Sequence, residues 1–349
     1  MGPRLIVTRG TEIERLLDAE IIRQREADHR GHYGASMGNA PCDRANWYTF
    51  FWCVTRELPA RILRLFRRGE KEEDQITADL RSIGIRVWEV DPRTGEQIRI
   101  SFVGGHGGGS LDAMLRDVPG LDGKVVGEYK THNLRSMNDL EKHGVEKSKP
   151  QHYGQMQMYM HGKEAKYALY YAVCKNDDRV YTEIVEYDEG MANRLLERAE
   201  MIITSDAPPA GVSKSATWFE CKMCDHLELC HGQATPDMNC RTCMHSEPQI
   251  DGYGTWYCER HGFAIDVDQQ RAGCEQHLFR PALLQNWAQL VRVEKDEAHY
   301  RHLTNDVDFV NGPEGYGSAE IAAASHAESI AHPTTELIKG EFPGAEIVG

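Results

Sequence analysis

The chain has 349 residues, a formal net charge of −14 at pH 7 and a mean hydropathy of −0.56. Apolar residues make up 40% of it, which is enough for a substantial hydrophobic core. The low hydropathy excludes a membrane span, and the acidic charge argues against a general polyanion binder. Because the first ten residues, MGPRLIVTRG, lack the long apolar run of a signal peptide, we expect a cytoplasmic protein and no membrane partner.

The predicted elements run from helices through antiparallel strands to a helix, more strands and a further helix. Helical periodicity and capping residues predict helices at 11–27, 43–57, 59–84, 150–162 and 189–203. Branched and aromatic residues between turn signals predict strands at 85–90, 97–103, 110–118, 124–132, 166–175 and 179–188. The first two strands and the last two strands should each form a hairpin.

Three segments are predicted to be irregular. The polar, lysine-rich residues 134–149 should form a mobile loop, and the chain after about 310 a flexible tail. The sequence GGHGGG (104–109) lacks the Gly-Lys-Ser/Thr that would make it a phosphate-binding loop. We expect it to be a flexible turn that lets a substrate backbone come close.

These elements predict a mixed α/β (α+β) fold with a central mixed sheet flanked by helices, followed by a cysteine-rich module. We expect a main domain over 1–235, a zinc-ribbon-like module over 236–285, and a helix with a flexible tail over 286–349.

Two consecutive predicted strands carry a set of charged residues. Asp112 is separated by fifteen residues from Glu128, and Lys130 follows in the strand VVGEYKTHN. A hairpin can bring these two carboxylates and the ammonium to one end. Carboxylates bind Mg²⁺ or Mn²⁺, the metal stabilises charge developing on a phosphate, and a lysine can position the attacking water. The alternative is a charged pair without a functional role on a solvent-exposed strand edge.

The predicted helix at 150–162 carries a second, independent signal. Gln155 and Tyr159 are four residues apart and therefore share one helix face. They could contact a DNA phosphate or support the strand that carries the charged residues. Taken alone, they could equally be ordinary residues of the helix surface.

Asp112, Glu128-x-Lys130 and Gln155-x-x-x-Tyr159, in this order, resemble the PD-(D/E)XK nuclease superfamily and its RecB-like branch. The resemblance implies a nuclease core over residues 1–235 with Asp112, Glu128, Lys130, Gln155 and Tyr159 as site residues. The sequence departs from the superfamily pattern before Asp112, where GGGSLD has no proline.

The same resemblance implies one more metal ligand, supplied by the first helix of the nuclease core. RRGEKEEDQ offers Glu70, Glu72 and Glu73 there, and Glu73 is favoured. The histidine that many RecB-like proteins carry at this point is absent. In addition, the backbone carbonyl of Tyr129 could complete the metal shell while its side chain packs on the opposite face of the strand.

Ten cysteines in a chain expected to be cytoplasmic indicate metal sites rather than disulfides. Cys221, Cys224 and Cys230 are local, and the distant Cys42 is the natural fourth thiolate of a tetrahedral cluster. The arrangement resembles the iron–sulfur nucleases of the AddB-type, Dna2-type and Cas4-type, which implies a structural [4Fe–4S] cluster. The alternative is a zinc site completed by His226 or His231.

A second cysteine set has the spacing C-x2-C-x14-C-x15-C, which favours a ribbon-like Zn²⁺ module. Its members are Cys240, Cys243, Cys258 and Cys274. His261 or His277 could replace one thiolate. Candidate DNA contacts of the module are Trp256, Tyr257 and Arg260, although a purely structural knuckle is an equal alternative. Outside both sets, Cys53 and Cys174 should be small buried apolar residues.

The function these patterns favour is a Mg²⁺- or Mn²⁺-dependent deoxyribonuclease, an exonuclease or single-strand-specific enzyme of recombination, repair or phage replication. Its expected partners are single-stranded DNA or duplex ends and a recombination or replication protein. The compact layout with an appended cysteine module is similar to phage nucleases, and the location would then be the host cytoplasm. Two alternatives are a non-catalytic DNA- or partner-binding protein on a nuclease-like fold and a zinc-module adaptor.

Overall fold

The computed structural model describes residues 10–24, 30–324, 326–342 and 344–348. Its helices are α1 (Thr11–Arg23), α2 (Asp43–Phe50), α3 (Ala60–Ser82), α4 (Leu134–Ser148), α5 (Pro150–Lys163), α6 (Glu189–Thr204), α7 (Phe219–Lys222), α8 (Leu227–His231), α9 (Val267–Ala272), α10 (Pro281–Leu284), α11 (Ser318–Ala323) and α12 (Pro333–Glu341). The predicted end of the first helix, at 27, lies outside these residues. Within the described ranges, no helix is both long and apolar enough to cross a membrane.

The strands form four sheets. They are β1 (Tyr33–Gly34), β2 (Arg86–Trp88), β3 (Arg99–Phe102), β4 (Gly107–Ser110), β5 (Ala113–Arg116), β6 (Val125–His132), β7 (Tyr167–Cys174), β8 (Val180–Glu186), β9 (Ser246–Pro248), β10 (Trp256–Cys258), β11 (Phe263–Ile265), β12 (Ala288–Glu294), β13 (Glu297–His302) and β14 (Val307–Asn311). The sheet orders are β2-β5-β6-β7-β8, β1-β4-β3, β11-β10-β9 and β12-β13-β14.

The five-stranded sheet is the centre of the molecule. Its strands pair antiparallel except for β6 and β7, which run parallel over their full length. A parallel pair needs a long crossover, and α4 and α5 supply it. These two helices pack on one face with Met137, Leu140 and Met156, while α3 covers the other face with Ile76 and Leu80. The predicted mixed α/β class with a central mixed sheet is confirmed.

The predicted mobile loop at 134–149 is wrong, because this segment is helix α4. Its first turn is capped by the side chain of Asn133, which accepts a hydrogen bond from the backbone N–H of Ser136 at 2.9 Å. Its apolar residues Met137, Leu140 and Val145 are completely buried in the sheet core. Tertiary packing of a few apolar residues thus outweighs the polar composition of the segment.

The predicted hairpin of strands 85–90 and 97–103 is also wrong. A single bridge joins Val90 and Gln97, and β2 then joins the central sheet while β3 pairs with β4. The segment GGHGGG is therefore partly a strand rather than a flexible turn. Gly109 is required in β4, since a Cβ at that position would lie 2.6 Å from the ring of Tyr159.

The described residues after 286 form strands and helices, contrary to the expected helix and flexible tail. Strands β12–β14 form an antiparallel meander, and α11 and α12 follow. Trp287, Tyr300 and Phe309 form a core with stacked ring pairs, and Tyr316 and Ile321 pack into it. Buried and partly exposed residues alternate along β13, which is the pattern of a half-buried strand. This strand was not predicted from the sequence.

The cysteine-rich segment shares one apolar cluster with the N-terminal third of the chain. Trp256 of β10 packs with Phe50 and Phe51, on the far side of the predicted boundary at 235. Arg241 is 1% exposed, and its guanidinium donates to the backbone carbonyls of Phe50 at 2.9 Å and Gly31 at 2.8 Å. Burial of a guanidinium is unfavourable unless its N–H groups are bonded in this way.

A second contact joins the cysteine-rich segment to the glycine-rich segment. The carbonyl of Gly104 accepts hydrogen bonds from the N–H groups of Gly252 at 3.1 Å and Gly254 at 2.9 Å, and the His106 ring donates to the Gln249 carbonyl at 2.9 Å. Gly105 has φ +92° and lies so close that a Cβ would be 2.7 Å from the carbonyl carbon of Tyr253. The contact therefore depends on a bare backbone at this position.

We expect Gly105→Ala to destabilise the protein more than Gly123→Ala. Both glycines have φ near +90°, but a Cβ at Gly123 would meet nothing within 4 Å. The strain of a positive φ, on the order of 1 kcal/mol, is common to both variants. The overlap at Gly105 should add about 1–3 kcal/mol. Urea unfolding of the two variants measures the difference, and equal losses would show that the contact contributes nothing.

Candidate active site

Strand β6 and the residue before β5 bring together three of the predicted site residues. The register pairs Ala113 with Gly127, which places Asp112 beside the centre of β6. The Asp112 carboxylate accepts a hydrogen bond from the backbone N–H of Tyr129 at 2.7 Å. Glu128 and Lys130 lie on one face of β6, and the shortest distance between their charged atoms is 2.5 Å. The hairpin thus produces the predicted convergence.

The ammonium of Lys130 lies where the oxygens of this site converge. Its Nζ is 2.5 Å from Glu128 Oε1 and 3.5 Å from Asp112 Oδ2, and it donates to the Tyr129 carbonyl at 2.9 Å. Burial disfavours the charged ammonium, but Glu128 and Asp112 reverse this effect and raise the pKa of Lys130 above its usual value. Lys130 is therefore a hydrogen-bond donor in this state and not a base.

The carboxylate of Glu128 is completely buried in the middle of the sheet. Burial is the main cause that raises its pKa to about 7, and Asp112 adds to the shift while Lys130 opposes it. Glu73 projects from α3 and has a pKa raised to about 7 by burial and, next, by Asp112. Both carboxyls are thus held mainly by burial in an environment that disfavours their charged forms, and the nearby Asp112 adds to this effect.

This donor set fits a divalent cation. Two carboxylates and a backbone carbonyl surround the point that the Lys130 ammonium occupies, and apart from the contact of Oε1 with Lys130 the oxygens of Glu128 make no hydrogen bond within the described residues. A buried carboxylate whose only partner is one ammonium is costly, and Mg²⁺ or Mn²⁺ prefers oxygen ligands of this kind. Asp112, Glu128 and the Tyr129 carbonyl would hold the metal, with Glu73 on the side of α3.

Gln155 and Tyr159 support the backbone near Asp112. The Gln155 amide donates to the Tyr159 hydroxyl at 2.9 Å, and this hydroxyl donates to the carbonyl of Ser110 at 2.7 Å. Tyr159 is 3% exposed. Of the two roles considered from sequence, the contacts favour support of the strand over direct contact of Tyr159 with a phosphate.

Two cavities meet at Lys130. One, of about 500 Å³, lies toward α3 and is lined by Glu70, Glu72 and Glu73. The other, of about 420 Å³, lies toward α5. Its polar lining consists of Arg30, His32, Ser36, Ser110, Gln151, His152, Gln155 and Tyr159, together with Lys130. One side of Lys130 is therefore acidic and the other carries basic and neutral donors.

Arg30, His32 and His152 are among the lining residues that the sequence patterns did not indicate. His152 precedes Gln155 by three residues on the same helix face, so helical spacing could have identified it. Arg30 and His32 lie just before β1, in a segment without a recognisable pattern. The parallel pairing of Tyr33 and Gly34 with Gly107 and Gly108 carries that segment to the cleft, and local sequence does not reveal this pairing.

The first predicted cysteine set converges around a small cavity. Cys42, Cys221, Cys224 and Cys230 line an apolar space of about 30 Å³ together with His226 and His231. Burial raises the pKa of Cys221, and the neighbouring Cys230 and Cys42 raise it further. The ring atoms His226 Nδ1 and His231 Nε2 are buried without hydrogen bonds among the described residues. Thiols and imidazoles are the donors that Zn²⁺ and iron–sulfur clusters use.

The second cysteine set also converges. Cys240 is in a 3₁₀ turn, Cys243 follows it, Cys258 ends β10 and Cys274 follows α9. Burial raises the pKa of Cys240 to about 12, and the other three cysteines contribute in the same direction. His261 lies 3.7 Å from the sulfur of Cys274, so it remains a possible substitute ligand.

Two residues proposed from sequence for DNA contact are not available for it. Trp256 is 1% exposed and belongs to the core. The Arg260 guanidinium pairs with Asp296 and donates to Gln276 at 2.8 Å.

His277 is buried, and its Nε2 contacts the Asn239 carbonyl at 3.0 Å. Tyr257 is half-buried on β10. Cys53 and Cys174 are fully buried, as predicted.

The distances between potential ligand atoms differ between the two cysteine sets and an acidic group on β12 and β13. Within the described part of the chain, one set of three potential ligands lies within 4.8 Å, namely Glu294, Glu297 and His299 on β12 and β13. A single tetrahedral zinc with Zn–S bonds of about 2.3 Å would bring its sulfurs within about 4 Å of one another. Neither cysteine set is drawn together that tightly.

Comparisons with known proteins give distant likenesses in structure alone. No protein-family model and no curated protein sequence match this chain. An alkaline exonuclease (LHK-Exo) from Laribacter hongkongensis has 17% identity and a TM-score of 0.37 over 54% of this chain and 90% of that chain. Its complex with dAMP has 16% identity and a TM-score of 0.32, with the same coverage of both chains. A protein designated SSO0001 has 17% identity and a TM-score of 0.40 over 63% of this chain and 96% of that chain. Likenesses this weak assign neither a family nor a function.

We expect Mn²⁺ to raise the melting temperature more at pH 8 than at pH 6. Because the folded-state pKa values of Glu128 and Glu73 are raised to about 7, the metal-free protein loses stability as pH rises from 4.5 to 7. Metal binding needs both carboxylates ionised, and protonation at pH 6 should weaken it by roughly tenfold for each. Thermal melts with and without Mn²⁺ measure the difference.

Glu128→Gln should abolish most of the Mn²⁺-induced rise in melting temperature, because it removes a ligand charge. Glu146→Gln is the matched control, since Glu146 is exposed on α4 and outside both cavities. An equal rise in Glu128→Gln and in the unmodified protein would rule out this carboxylate as a ligand.

Proposed function

We propose that this chain is a metal-dependent deoxyribonuclease that hydrolyses phosphodiester bonds. The observation that carries the proposal is the convergence of Asp112, Glu128 and Lys130 at the boundary between an acidic and a basic cavity. A bound Mg²⁺ or Mn²⁺ would supply charge neutralisation and an activated water.

The residues of the chain have distinct parts in this proposal. Asp112 and Glu128 hold the metal, with Glu73 completing the site from α3. Lys130 stays protonated and can donate a hydrogen bond to the attacking water or to a phosphate oxygen. With the two carboxylates as metal ligands, the Lys130 ammonium would be available to donate to the substrate. Gln155 and Tyr159 keep the backbone before Asp112 in place through the Ser110 carbonyl.

DNA is the proposed substrate because the cavity toward α5 carries Arg30, Lys130 and several neutral hydrogen-bond donors. Phosphate groups are recognised by such sets of donors. An exonuclease or single-strand-specific activity in recombination, repair or phage replication is the finer proposal. A RecB-like membership, a phage origin and a partner in recombination or replication belong to the same proposal.

For the cysteines we propose a cluster in the first set and zinc in the second. Cys42, Cys221, Cys224 and Cys230 line one small cavity, and four convergent thiols are the ligand set of a [4Fe–4S] cluster, which we propose for this site. Zn²⁺ with His226 or His231 is the alternative there. Strands β9–β11 form a small antiparallel ribbon, which supports Zn²⁺ at the second set. The four thiols would move closer together when they bind the ion.

We expect Asp112→Asn and Lys130→Met to lower cleavage of end-labelled DNA by at least about 100-fold, because each removes a group that acts on the phosphate or its metal. Purified protein is incubated with linear duplex and single-stranded DNA in Mg²⁺ or Mn²⁺. Matched controls are Glu146→Gln and Lys147→Met on the exposed face of α4. Undiminished cleavage by Lys130→Met would refute its assignment. Tight DNA binding without cleavage under either metal would favour the non-catalytic binding protein.

The metal content of the protein tests the cysteine assignments. We expect anaerobically purified protein to be brown, with iron, inorganic sulfide and zinc, and Cys42→Ser to lose the iron. Cys174→Ala is the control, because Cys174 is buried in β7 away from both sets. Colourless protein with zinc at both sets and no iron would establish the zinc alternative.

A further inference from the structure

Three aromatic rings, two of them buried and one half-buried, form a stack beside Lys130. His132 ends β6, Tyr170 lies on the adjacent strand β7, and His152 is in the first turns of α5. Ring centroids are 6.3 Å apart for His132 and Tyr170 and 5.8 Å apart for His152 and Tyr170, with planes within 30° of parallel. No part of the proposed metal chemistry uses these rings.

Hydrogen bonds join the stack into one chain. The Tyr170 hydroxyl lies 2.8 Å from His132 Nε2 and 2.8 Å from His152 Nδ1. At the far end, His132 Nδ1 lies 3.0 Å from the hydroxyl of Ser136. His152 Nε2 makes no hydrogen bond to the described residues, and His152 lines the cavity of about 420 Å³ that Lys130 also lines.

Proton counting allows two directions for this chain. The Tyr170 hydroxyl has one hydrogen, so it donates to one histidine and accepts from the other. In the first direction, Ser136 donates to His132 Nδ1, so the His132 proton is on Nε2 and is donated to the Tyr170 hydroxyl. Tyr170 then donates to His152 Nδ1, and the His152 proton is on Nε2. In the reverse direction, His152 Nε2 carries a lone pair instead of a hydrogen.

Both histidines are neutral near pH 7, as the chain requires. Burial is the main cause that lowers the pKa of His152 to about 3, and Lys130, His132 and Lys149 act in the same direction. Burial also lowers the pKa of His132 to about 4, together with Lys149, Lys130 and Lys175. A neutral ring has one N–H, so its tautomer decides whether it can donate into the cavity.

We propose that His152 binds an anionic oxygen of the nucleic-acid strand through a neutral Nε2–H, and that Tyr170, His132 and Ser136 select this tautomer. An anionic oxygen beside Lys130 and Arg30 accepts hydrogen bonds and repels a lone pair, so it selects the first direction of the chain. The proposal deepens the proposed nuclease function and rests on it for the identity of the ligand. Tyr170, His132 and Ser136 are positioning residues.

Binding is measured without cleavage, as fluorescence anisotropy of a single-stranded thymidine oligonucleotide in EDTA. His152→Asn keeps an amide near Nδ1 but withdraws from the cavity, and it should weaken binding about tenfold. His152→Gln places an amide near Nε2, so its loss should be clearly smaller. His143→Asn is the matched control, because His143 is exposed on α4 and pairs with Asp139. Equal losses for His152→Asn and His152→Gln would overturn the proposal.

The tautomer itself is observed with ¹⁵N-histidine-labelled protein in long-range ¹H–¹⁵N correlation spectra. The signal missing in His152→Gln identifies His152. We expect a protonated Nε2 with the oligonucleotide bound, and a mixture of tautomers in Tyr170→Phe, whose folding is checked by its melting curve. A protonated Nδ1 in the bound protein, or a single unchanged tautomer in Tyr170→Phe, would refute the chain. A protein that passes these tests yet cleaves no DNA would instead refute the nuclease function alone.

Discussion

The burial of the Glu128 carboxylate inside the central sheet is the constraint on which the site depends. Strand β6 has neighbours on both sides, so a side chain in its middle cannot reach water from a sheet edge. A charge in that position needs a cation within contact distance, and Lys130 supplies one two residues later on the same face. Asp112 joins them because its carboxylate is held by the Tyr129 N–H of the same strand.

The surrounding elements serve this cluster in different ways. Helix α3 brings a further carboxylate, Glu73, while α5 fixes the backbone of Ser110 through Tyr159. The parallel β6–β7 pair is what places α4 and α5 together on one face. It also places Tyr170 opposite Glu128 in register, so that the ring stack lies next to the charged residues. The parallel pairing thus sets the side of the cleft that faces α5.

The cysteine-rich segment is integrated with the same site. Its loop bonds the Gly104 carbonyl, and β4 begins three residues later and leads to Asp112. Arg241, two residues before Cys243, bonds the Gly31 carbonyl next to the cleft residues Arg30 and His32. A metal bound by Cys240 and Cys243 would therefore stabilise backbone that forms the cleft, through hydrogen bonds that tolerate little displacement.

Sequence patterns identified the residues whose chemistry is local in the chain. The order of Asp112, Glu128 and Lys130, the helix of Gln155 and Tyr159, and the cysteine spacings could all be read directly, since strand and helix periodicities decide which side chains share a face. Neither α4 nor the meander β12–β14 was recognised. Their formation depends on a few apolar residues that become buried only against distant elements.

By itself, the sequence determined the mixed α/β class, the hairpin that joins Asp112 to Glu128 and Lys130, and the two sets of clustered cysteines. Tertiary structure alone decided that Tyr159 supports a strand, that Trp256 is a core residue, and that His152, Arg30 and His32 reach the cleft. The physical reason is the distance along the chain over which each effect acts. Side-chain periodicity and turn chemistry act over a few residues. Burial and long-range pairing depend on contacts between segments more than a hundred residues apart, such as Arg241 and Gly31.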